Sequence, residues 1–226
     1  MKAPDGNKLA ILNALNQGGF VSGQALGEKL GISRAAVSKH IKTLQEMGLD
    51  IFKVTGKGYC LNSQVGLLNK TQIDQHYKAL GANTADVEVN PIIDWTNSEL
   101  MRRIQAKTAL ESGTVIVAEM QQAGRGRRGR VWQSPFGANL YYSYFWRLDD
   151  GLQAAMGVSI AVGLAVYDAI KALYQVDVEL KWPNDIYIGK RKVCGILIQN
   201  ILQGKSIKNA IIGIGLNVNQ DRFDPL

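Results

Sequence analysis

Histidine and cysteine are scarce in this chain, with two of each in 226 residues. His40 and His76 lie far apart, as do Cys60 and Cys194, which leaves no spacing for a metal cluster and no disulfide framework. Two distant thiols point to a reducing compartment, so the expectation is a cytoplasmic protein without a structural metal. No apolar run reaches the length of a membrane span, and Met1-Lys2-Ala3-Pro4-Asp5-Gly6 lacks the apolar core of a signal peptide. Acidic residues are also outnumbered: 19 Asp and Glu face 26 Lys and Arg, for a net charge of +7 at pH 7. Residues 1–62 hold eight Lys and Arg against four acids, a net +4, and most of the remaining excess sits in one arginine-rich loop. Two separate anionic partners are implied. A hydrophobic share of 46% and a charged share of 20% suit a soluble globular protein, and the length allows one large domain plus a small one.

The loop is Gly124-Arg125-Gly126-Arg127-Arg128-Gly129-Arg130-Val131-Trp132. Backbone N–H groups and guanidinium forks can converge there on an anion. The run Thr114 to Met120 before it is apolar and β-branched and reads as a buried strand, so the loop hangs from a strand end, where open α/β sheets bind ligands. The spacing formally satisfies G-x-G-x-x-G. A dinucleotide turn, however, requires a helix directly afterwards. Here Gln133-Ser134-Pro135-Phe136-Gly137 is turn chemistry and Leu140 to Trp146 is strand-like. A disordered basic arm is the plainer alternative, but the arginines lie between two strand candidates instead of at a terminus. A loop that grips phosphate or carboxylate is preferred.

In chain order, residues near 6–17 place Leu9, Ile11, Leu12 and Leu15 on a short amphipathic helix. Ser22 caps a second helix, Gly23 to Leu30, that stops at Gly31. Ser33 caps a third, Arg34 to Met47, in which Val37, Ile41 and Leu44 form one buried stripe. Ser33, Arg34, Ser38, Lys39 and Lys42 are left facing outwards. Two short strands follow around Thr55-Gly56-Lys57-Gly58 and make a basic hairpin, a wing. Helix, turn, basic-faced helix and wing together resemble a winged helix-turn-helix DNA-binding domain. The alternative is a generic three-helix module with a solvated charged face, and His40 reads as an ordinary surface residue.

Residues 63–70 read as a linker. Thr71 is expected to cap a helix to about Leu80, Val87 to Ile93 to form a strand, and Thr96 or Asn97 to cap a helix from Ser98 to Leu110. Asp149-Asp150 should open a long helix to about Leu173, with Gly157 and Gly163 packed closely on a sheet. In Lys181-Trp182-Pro183-Asn184-Asp185 a strand ends at a proline turn presenting an amide and a carboxylate together. Asn184 and Asp185 suit holding a nucleotide, directly or through Mg²⁺. Lys192, at the start of the next hairpin strand, suits neutralising charge on a carboxylate and a phosphate. Taken alone, that cluster also reads as a solvated surface turn. The last strand, Ala210 to Asn219, carries glycines where another group can approach the backbone.

Gly124 to Trp132, Lys181 to Asp185, Arg191-Lys192-Val193-Cys194-Gly195-Ile196-Leu197 and Gly213-Ile214-Gly215-Leu216-Asn217 occur in the order seen in biotin protein ligases. With the winged helix in front, the whole chain resembles the bifunctional biotin ligases/biotin operon repressors of bacteria, in the biotin–[acetyl-CoA-carboxylase] ligase family. The resemblance implies an α+β protein. Its parts are a winged helix-turn-helix over 1–62, the 63–70 linker, and a biotin/lipoate-ligase-type mixed-sheet catalytic domain over 71–226. It implies ATP with Mg²⁺ as co-substrate, biotin as substrate and no permanently bound cofactor. Biotinyl-5′-adenylate forms first, and its biotin then passes to a lysine of the biotin carboxyl carrier protein. Adenylate-bound homodimers would bind operator DNA.

For the site, the resemblance implies Lys192 and Arg127 as catalytic. Arg125 clamps anions, Asn184 and Asp185 position nucleotide and Mg²⁺, and Thr96, Asn97 and Gln121 bind biotin. Gly124 and Gly126 belong to the substrate-binding loop, Gly195 admits close backbone approach, and Trp132 walls the pocket or serves as core. Two departures stand out. Trp95 occupies the position where the family usually shows Ser before Thr-Asn, so one hydrogen bond to biotin is absent or replaced. Family members also continue into an SH3-like barrel beyond the point where this chain ends at Asp224-Pro225-Leu226, so a C-terminal truncation is expected. Competing readings are a repressor whose larger domain only senses a ligand, a lipoate-attaching relative, and a DNA-binding module with a disordered basic loop.

Overall fold

The computed structural model describes residues 6–81, 86–148, 151–203, 206–220 and 223. The chain divides into two compact units, residues 1–67 with 135–137, and residues 68–134 with 138–226.

The first unit holds α1 (Gly6–Asn16), α2 (Gly23–Leu30), α3 (Arg34–Glu46), β1 (Ile51–Val54) and β2 (Gly58–Leu61). Ser22 and Ser33 cap α2 and α3: each hydroxyl accepts a backbone N–H, from Ala25 at 3.0 Å and Ala36 at 3.1 Å. Gly31, in the left-handed region, ends α2. The apolar stripes meet in one core, with Ile11, Leu12, Leu15, Leu26, Val37, Ile41 and Leu44 buried. β1 and β2 pair antiparallel, and Val21 adds a bridge to Tyr59. Gly58 precedes that bridge at φ +112°, and a Cβ there would run into the Val21 carbonyl, so only glycine fits. Phe20 and Phe52 meet edge to face at 5.8 Å, and the Lys57 ammonium lies 5.6 Å from the Phe20 ring centre, which ties the wing to the helices.

The second unit is built on a seven-stranded mixed sheet: β3 (Val87–Asn90), β4 (Val115–Ala118), β5 (Leu140–Arg147), β6 (Glu179–Lys181), β7 (Asp185–Ile188), β8 (Arg191–Gln203) and β9 (Ser206–Leu216). Their spatial order is β3-β4-β5-β9-β8-β7-β6. β3 and β4 run parallel, and every other neighbouring pair is antiparallel. Helices α4 (Lys70–Ala79), α5 (Thr96–Gln105) and α6 (Gly151–Tyr174) pack on it. Leu100 of α5 joins Ile116, Phe145 and Ile211 in one core cluster, while Val158, Val162, Val166 and Ile170 of α6 pack with Ile186, Ile196 and Ile212 in another. The architecture is α+β, as expected.

Several boundaries differ from expectation. Asn69, not Thr71, caps α4: its backbone is extended and its side-chain Oδ1 accepts the Gln72 N–H at 3.1 Å. β3 stops at Asn90 because Pro91 has no N–H to donate, and Ile93 adds only an isolated bridge to Gln121. α5 begins at Thr96, so Thr96 and Asn97 are first-turn residues and not caps, and Trp95 holds the cap position. The helix ends before Lys107, whose φ is +56°. Gly163 of α6 is closely packed, with a Cβ there falling 3.1 Å from Leu180, but Gly157 meets nothing. The proposed start of α6 at Asp149-Asp150 lies outside the described residues. By length and composition the stretch Gly157–Tyr174 is apolar enough to cross a membrane, with mean hydropathy 1.4. Asp168 and Lys171 break the apolar run, which hid this in the sequence. One side of the helix packs on the sheet, while Ile160, Leu164 and Leu173 are exposed.

Two groups of carboxylates in this unit are held in contrasting ways. The Arg102 fork binds Asp94 at 2.7 and 3.0 Å and Glu99 at 2.7 Å, and Arg103 links Glu99 to Glu88. The Arg102 bond, followed by a backbone N–H, holds the Asp94 carboxyl below its usual range. Glu119, just after β4, is 5% exposed and accepts the Leu68 N–H at 2.5 Å. Burial raises its pKa despite that bond. An unfolded Glu titrates near about 4.3, so the folded protein takes up this proton at higher pH than the unfolded chain. Its favourable contribution is full below the unfolded pKa and is lost as pH rises through the folded one. Glu119→Gln should therefore be more stable than the parent at pH 7, with the difference closing below about pH 4; urea denaturation across that range checks it.

Candidate functional site

A cavity of about 630 Å³ opens in the second unit. One wall comes from the start of α5 and the end of β4, a second from the arginine loop, and a third from the β6–β7 turn with β8 and β9.

The first wall is a buried polar network. The backbone N–H and hydroxyl of Thr96 both lie 3.0 Å from Gln121 Oε1. Gln121 Nε2 donates to Ser134 Oγ at 3.1 Å, and Ser134 Oγ donates to the Trp132 carbonyl at 3.1 Å. Ser143 Oγ lies 2.6 Å from the Thr96 hydroxyl and donates to Asn97 Oδ1, while Asn97 Nδ2 donates to Gln199 at 2.9 Å. Thr96, Asn97, Gln121, Ser134 and Ser143 are all buried, so each bond is made in low dielectric, where an unmet partner costs most. Ser134, Ser143 and Gln199 escaped the sequence reading, since isolated polar residues carry no periodic signal.

The arginine loop closes on itself. Gly126 N–H donates to Arg130 at 2.8 Å, Trp132 N–H to Gly124 at 2.9 Å, and Arg125 bridges Val131. A single 3₁₀ turn spans Arg127–Gly129, with Arg128 at φ +58°. A Cβ on Gly124 would fall 2.7 Å from the Trp132 carbonyl and 2.9 Å from Gln121 Nε2, so glycine lets the loop seat against the polar network. Gly126 has room to spare, its nearest neighbour being 3.7 Å away, and it lines the cavity.

Glycines of β8 and β9 receive two side chains. The Trp132 ring lies where a Cβ on Gly195 or Gly215 would be, at 2.7 and 2.6 Å, and Asn97 overlaps the Cβ position of Gly213. The close approach expected at these glycines is thus made in part by the protein's own Trp132 and Asn97. Trp132 is half-buried, and its Nε1 is enclosed without a hydrogen-bond partner among the described residues.

On the third wall, Asn184 is locked by two bonds to Ile196, 2.9 and 3.0 Å, and its side-chain oxygen accepts Arg127 Nη1 at 2.6 Å. Lys192 Nζ pairs with Asp185 Oδ1 at 2.8 Å and lies 5.3 Å from the Trp132 ring centre. Arg125 sits 5.8 Å from the Trp95 ring centre. Arg125, Arg127 and Lys192, from three chain segments, all line the cavity. Arg128, Arg130, Lys181 and Trp182 also line it and were not singled out as site residues. Buried Cys194, beside Lys192 and Asp185, has its thiol pushed up to about 12, chiefly by burial, so it stays protonated at neutral pH. Among the described residues no three His, Cys, Asp or Glu side chains gather to hold a metal. In the first unit, Ser33, Arg34, Ser38, Lys39 and Lys42 are all exposed along α3.

Comparison with known proteins agrees with both units. Residues 7–60 match the model of an HTH domain, and residues 89–217 match that of the biotin/lipoate A/B protein ligase family. The bifunctional ligase/repressor BirA of Escherichia coli is 48% identical over 219 residues, covering 96% of this chain and 65% of that protein. The BirA of Bacillus subtilis is 35% identical over 218 residues, covering 95% of this chain and 66% of that one. The chain thus spans slightly under two thirds of these relatives' length. The biotin protein ligase from Aquifex aeolicus, solved in complex with biotin and ATP, superposes with a TM-score of 0.52 at 31% identity, covering 62% of this chain and 56% of that one. A match that takes in the arginine loop, the Lys181–Asp185 turn and the glycine strands together places the chain in the biotin/lipoate A/B protein ligase family.

Proposed function

We propose that this chain is an ATP-dependent biotin protein ligase that also binds operator DNA. Its cavity makes biotinyl-5′-AMP and passes biotin to a lysine of the biotin carboxyl carrier protein. The adenylate-bound homodimer represses the biotin operon. The observation that carries the reading is the convergence of Arg125, Arg127 and Lys192 on a cavity whose other wall is a neutral, buried hydrogen-bond network. Such a cavity suits a ligand with a polar, uncharged ring at one end and anions at the other.

The first step joins two anions that repel each other. A carboxylate oxygen attacks the α-phosphorus, a carboxyl–phosphate bond forms, and pyrophosphate leaves. Holding the reactants in line and neutralising the developing charge supplies most of the catalysis in such transfers. Arg125 and Arg127 clamp the carboxylate and phosphates, and Lys192 bridges carboxylate and α-phosphate. In the free protein Lys192 is engaged by Asp185, so an arriving anion takes over a charge already held in place. Asn184 and Asp185 are the oxygen donors available to Mg²⁺ brought by the nucleotide, which suits a hard cation that keeps most of its own water. Thr96, Asn97 and Gln121 orient biotin, and Trp132 closes the wall over Gly195. In the second step the carrier lysine amine attacks the acyl carbon, an amide forms, and AMP leaves with its electron pair.

For DNA, residues 1–62 form the binding domain, residues 63–70 the linker and residues 71–226 the ligase domain. The α3 face carrying Ser33, Arg34, Ser38, Lys39 and Lys42 enters the major groove, and the wing lysines Lys53 and Lys57 meet phosphate.

Two outcomes test these assignments. Biotin-dependent exchange of pyrophosphate into ATP should occur in the parent and fall by about 10²-fold or more in Lys192→Ala, with unchanged circular dichroism. Lipoate should not replace biotin, and exchange that Lys192→Ala leaves intact would move the catalytic role to Arg127. Reversing the charge of Arg34, Lys39 or Lys42 should weaken operator binding and reduce its log–log salt slope by about one for each phosphate no longer neutralised. Full operator affinity in all three variants would remove α3 from the DNA interface.

A further inference from the structure

One polar contact ties α6 to the wall that carries Asn184 and Asp185. Ser159 Oγ donates to the Pro183 carbonyl at 2.9 Å. A serine inside a helix ordinarily returns its hydroxyl to the carbonyl one turn earlier. This one instead reaches a residue 24 positions further along the chain. Gly163, one turn on from Ser159, accounts for the reach. A Cβ there would fall 3.1 Å from Leu180 of β6, so the helix lies close against that edge strand, with Ser159 beside the turn that follows it.

The contact orients a peptide plane. The Pro183–Asn184 bond is trans, so its carbonyl and its N–H point in opposite directions. α6 packs on the sheet face that carries Ile186, Ile196 and Ile212. In β8 and β9 the alternate residues Gly195, Gly213 and Gly215 face the other way and line the cavity. With its carbonyl drawn to α6, the peptide turns the Asn184 N–H to the cavity side, and Pro183 and Asn184 both line that cavity. Asn184 meets β8 through its carbonyl and its side-chain amide, and among the described residues no acceptor takes its backbone N–H. Cations stand on either side of it. Asn184 Oδ1 accepts Arg127, and the next residue, Asp185, pairs with Lys192.

We infer that Ser159 is a positioning residue: through the Pro183 carbonyl it holds the Asn184 N–H towards the cavity as a hydrogen-bond donor to the α-phosphoryl group of the nucleotide. The inference rests on the ligase reading of the cavity. A backbone N–H fixed in advance is a neutral donor placed where charge develops on phosphoryl oxygen as the carboxylate attacks. Arg127 and Lys192 supply charge there. The N–H supplies a set direction, because its turn is pinned by β8 on one side and by α6 on the other.

The test is biotin-dependent exchange of pyrophosphate into ATP, with biotin affinity measured separately by calorimetry without ATP. Ser159→Ala should lower the kcat of exchange about tenfold and leave biotin affinity unchanged. Ser159→Thr and Ser159→Val match in shape and differ in the hydroxyl. Ser159→Thr should stay near the parent, and Ser159→Val should fall with Ser159→Ala. ATP carrying sulfur at one non-bridging α-oxygen gives a readout that a loosened turn alone would not move. Sulfur accepts a hydrogen bond poorly, so the parent should discriminate between the two stereoisomers, and Ser159→Ala should lose part of that discrimination. An unchanged kcat in Ser159→Ala, equal activity in Ser159→Thr and Ser159→Val, or discrimination that is absent from the parent or undiminished in Ser159→Ala overturns the inference while the ligase reading stands. A parent that shows no exchange overturns the ligase reading and the inference with it. Should Ser159→Ala fail to fold, the comparison of Ser159→Thr with Ser159→Val carries the test.

Discussion

The site depends on one packing event, the seating of Trp132 and Asn97 against the glycine backbone of β8 and β9. Side chains at Gly195, Gly213 or Gly215 would occupy the space those two residues fill. Because β8 and β9 are central strands of the seven-stranded sheet, their backbone is a rigid floor. Trp132 is the last residue of the arginine loop, so its seat fixes where that loop ends. Asn97 lies in the first turn of α5, so its seat fixes where the helix, and with it Thr96 and Trp95, meets the sheet. The anion-binding loop and the polar wall are thereby referred to the same few glycines, and a shift at either would be felt at both.

Electrostatics then decides what the cavity can hold. Several cations face one space, and their mutual repulsion is relieved in graded ways. Asp185 neutralises Lys192, Asn184 lends Arg127 an amide oxygen, and Trp95 offers Arg125 a π face. Only the first of these contacts cancels charge. The cavity is left positive and largely pre-ordered, which favours an anionic ligand and reduces the cost of arranging the clamp when it arrives. The opposite wall is neutral but fully bonded, and a ligand that matches its donors and acceptors replaces existing bonds without stranding them. A second cationic surface of another kind lies in the first unit. There the cations are solvent-exposed along α3 and the wing, as the proposed long-range attraction to a phosphate backbone requires.

Local chemistry was legible in the sequence wherever a residue's own backbone or periodicity dictates structure. Ser22, Ser33 and Gly31 bound their helices as expected, and Val37, Ile41 and Leu44 form the buried stripe their spacing demands. The arginine loop, the Asn184–Asp185 turn and Lys192 were all found as motifs, and they share one cavity. What escaped was set by contacts distant in sequence. Thr96 and Asn97 look like helix caps from their order, yet their side chains are committed to Gln121, Ser143 and Gln199. Gly157 and Gly163 are alike in sequence, but only Gly163 faces the sheet. The Asn69 cap was hidden by Thr71, an equally good capping residue two positions on. Trp95 looked only like a lost serine until its ring was found beside Arg125.

The most direct test of the central claim is to incubate this chain with biotin and MgATP, isolate the protein, and identify the bound ligand by mass spectrometry. Recovery of biotinyl-5′-adenylate is the expected result, because the residues assigned to carboxylate–phosphate joining all line one cavity of these 226 residues. Recovery of unmodified biotin, with ATP left intact, would contradict the catalytic reading and leave a cavity that senses biotin without activating it.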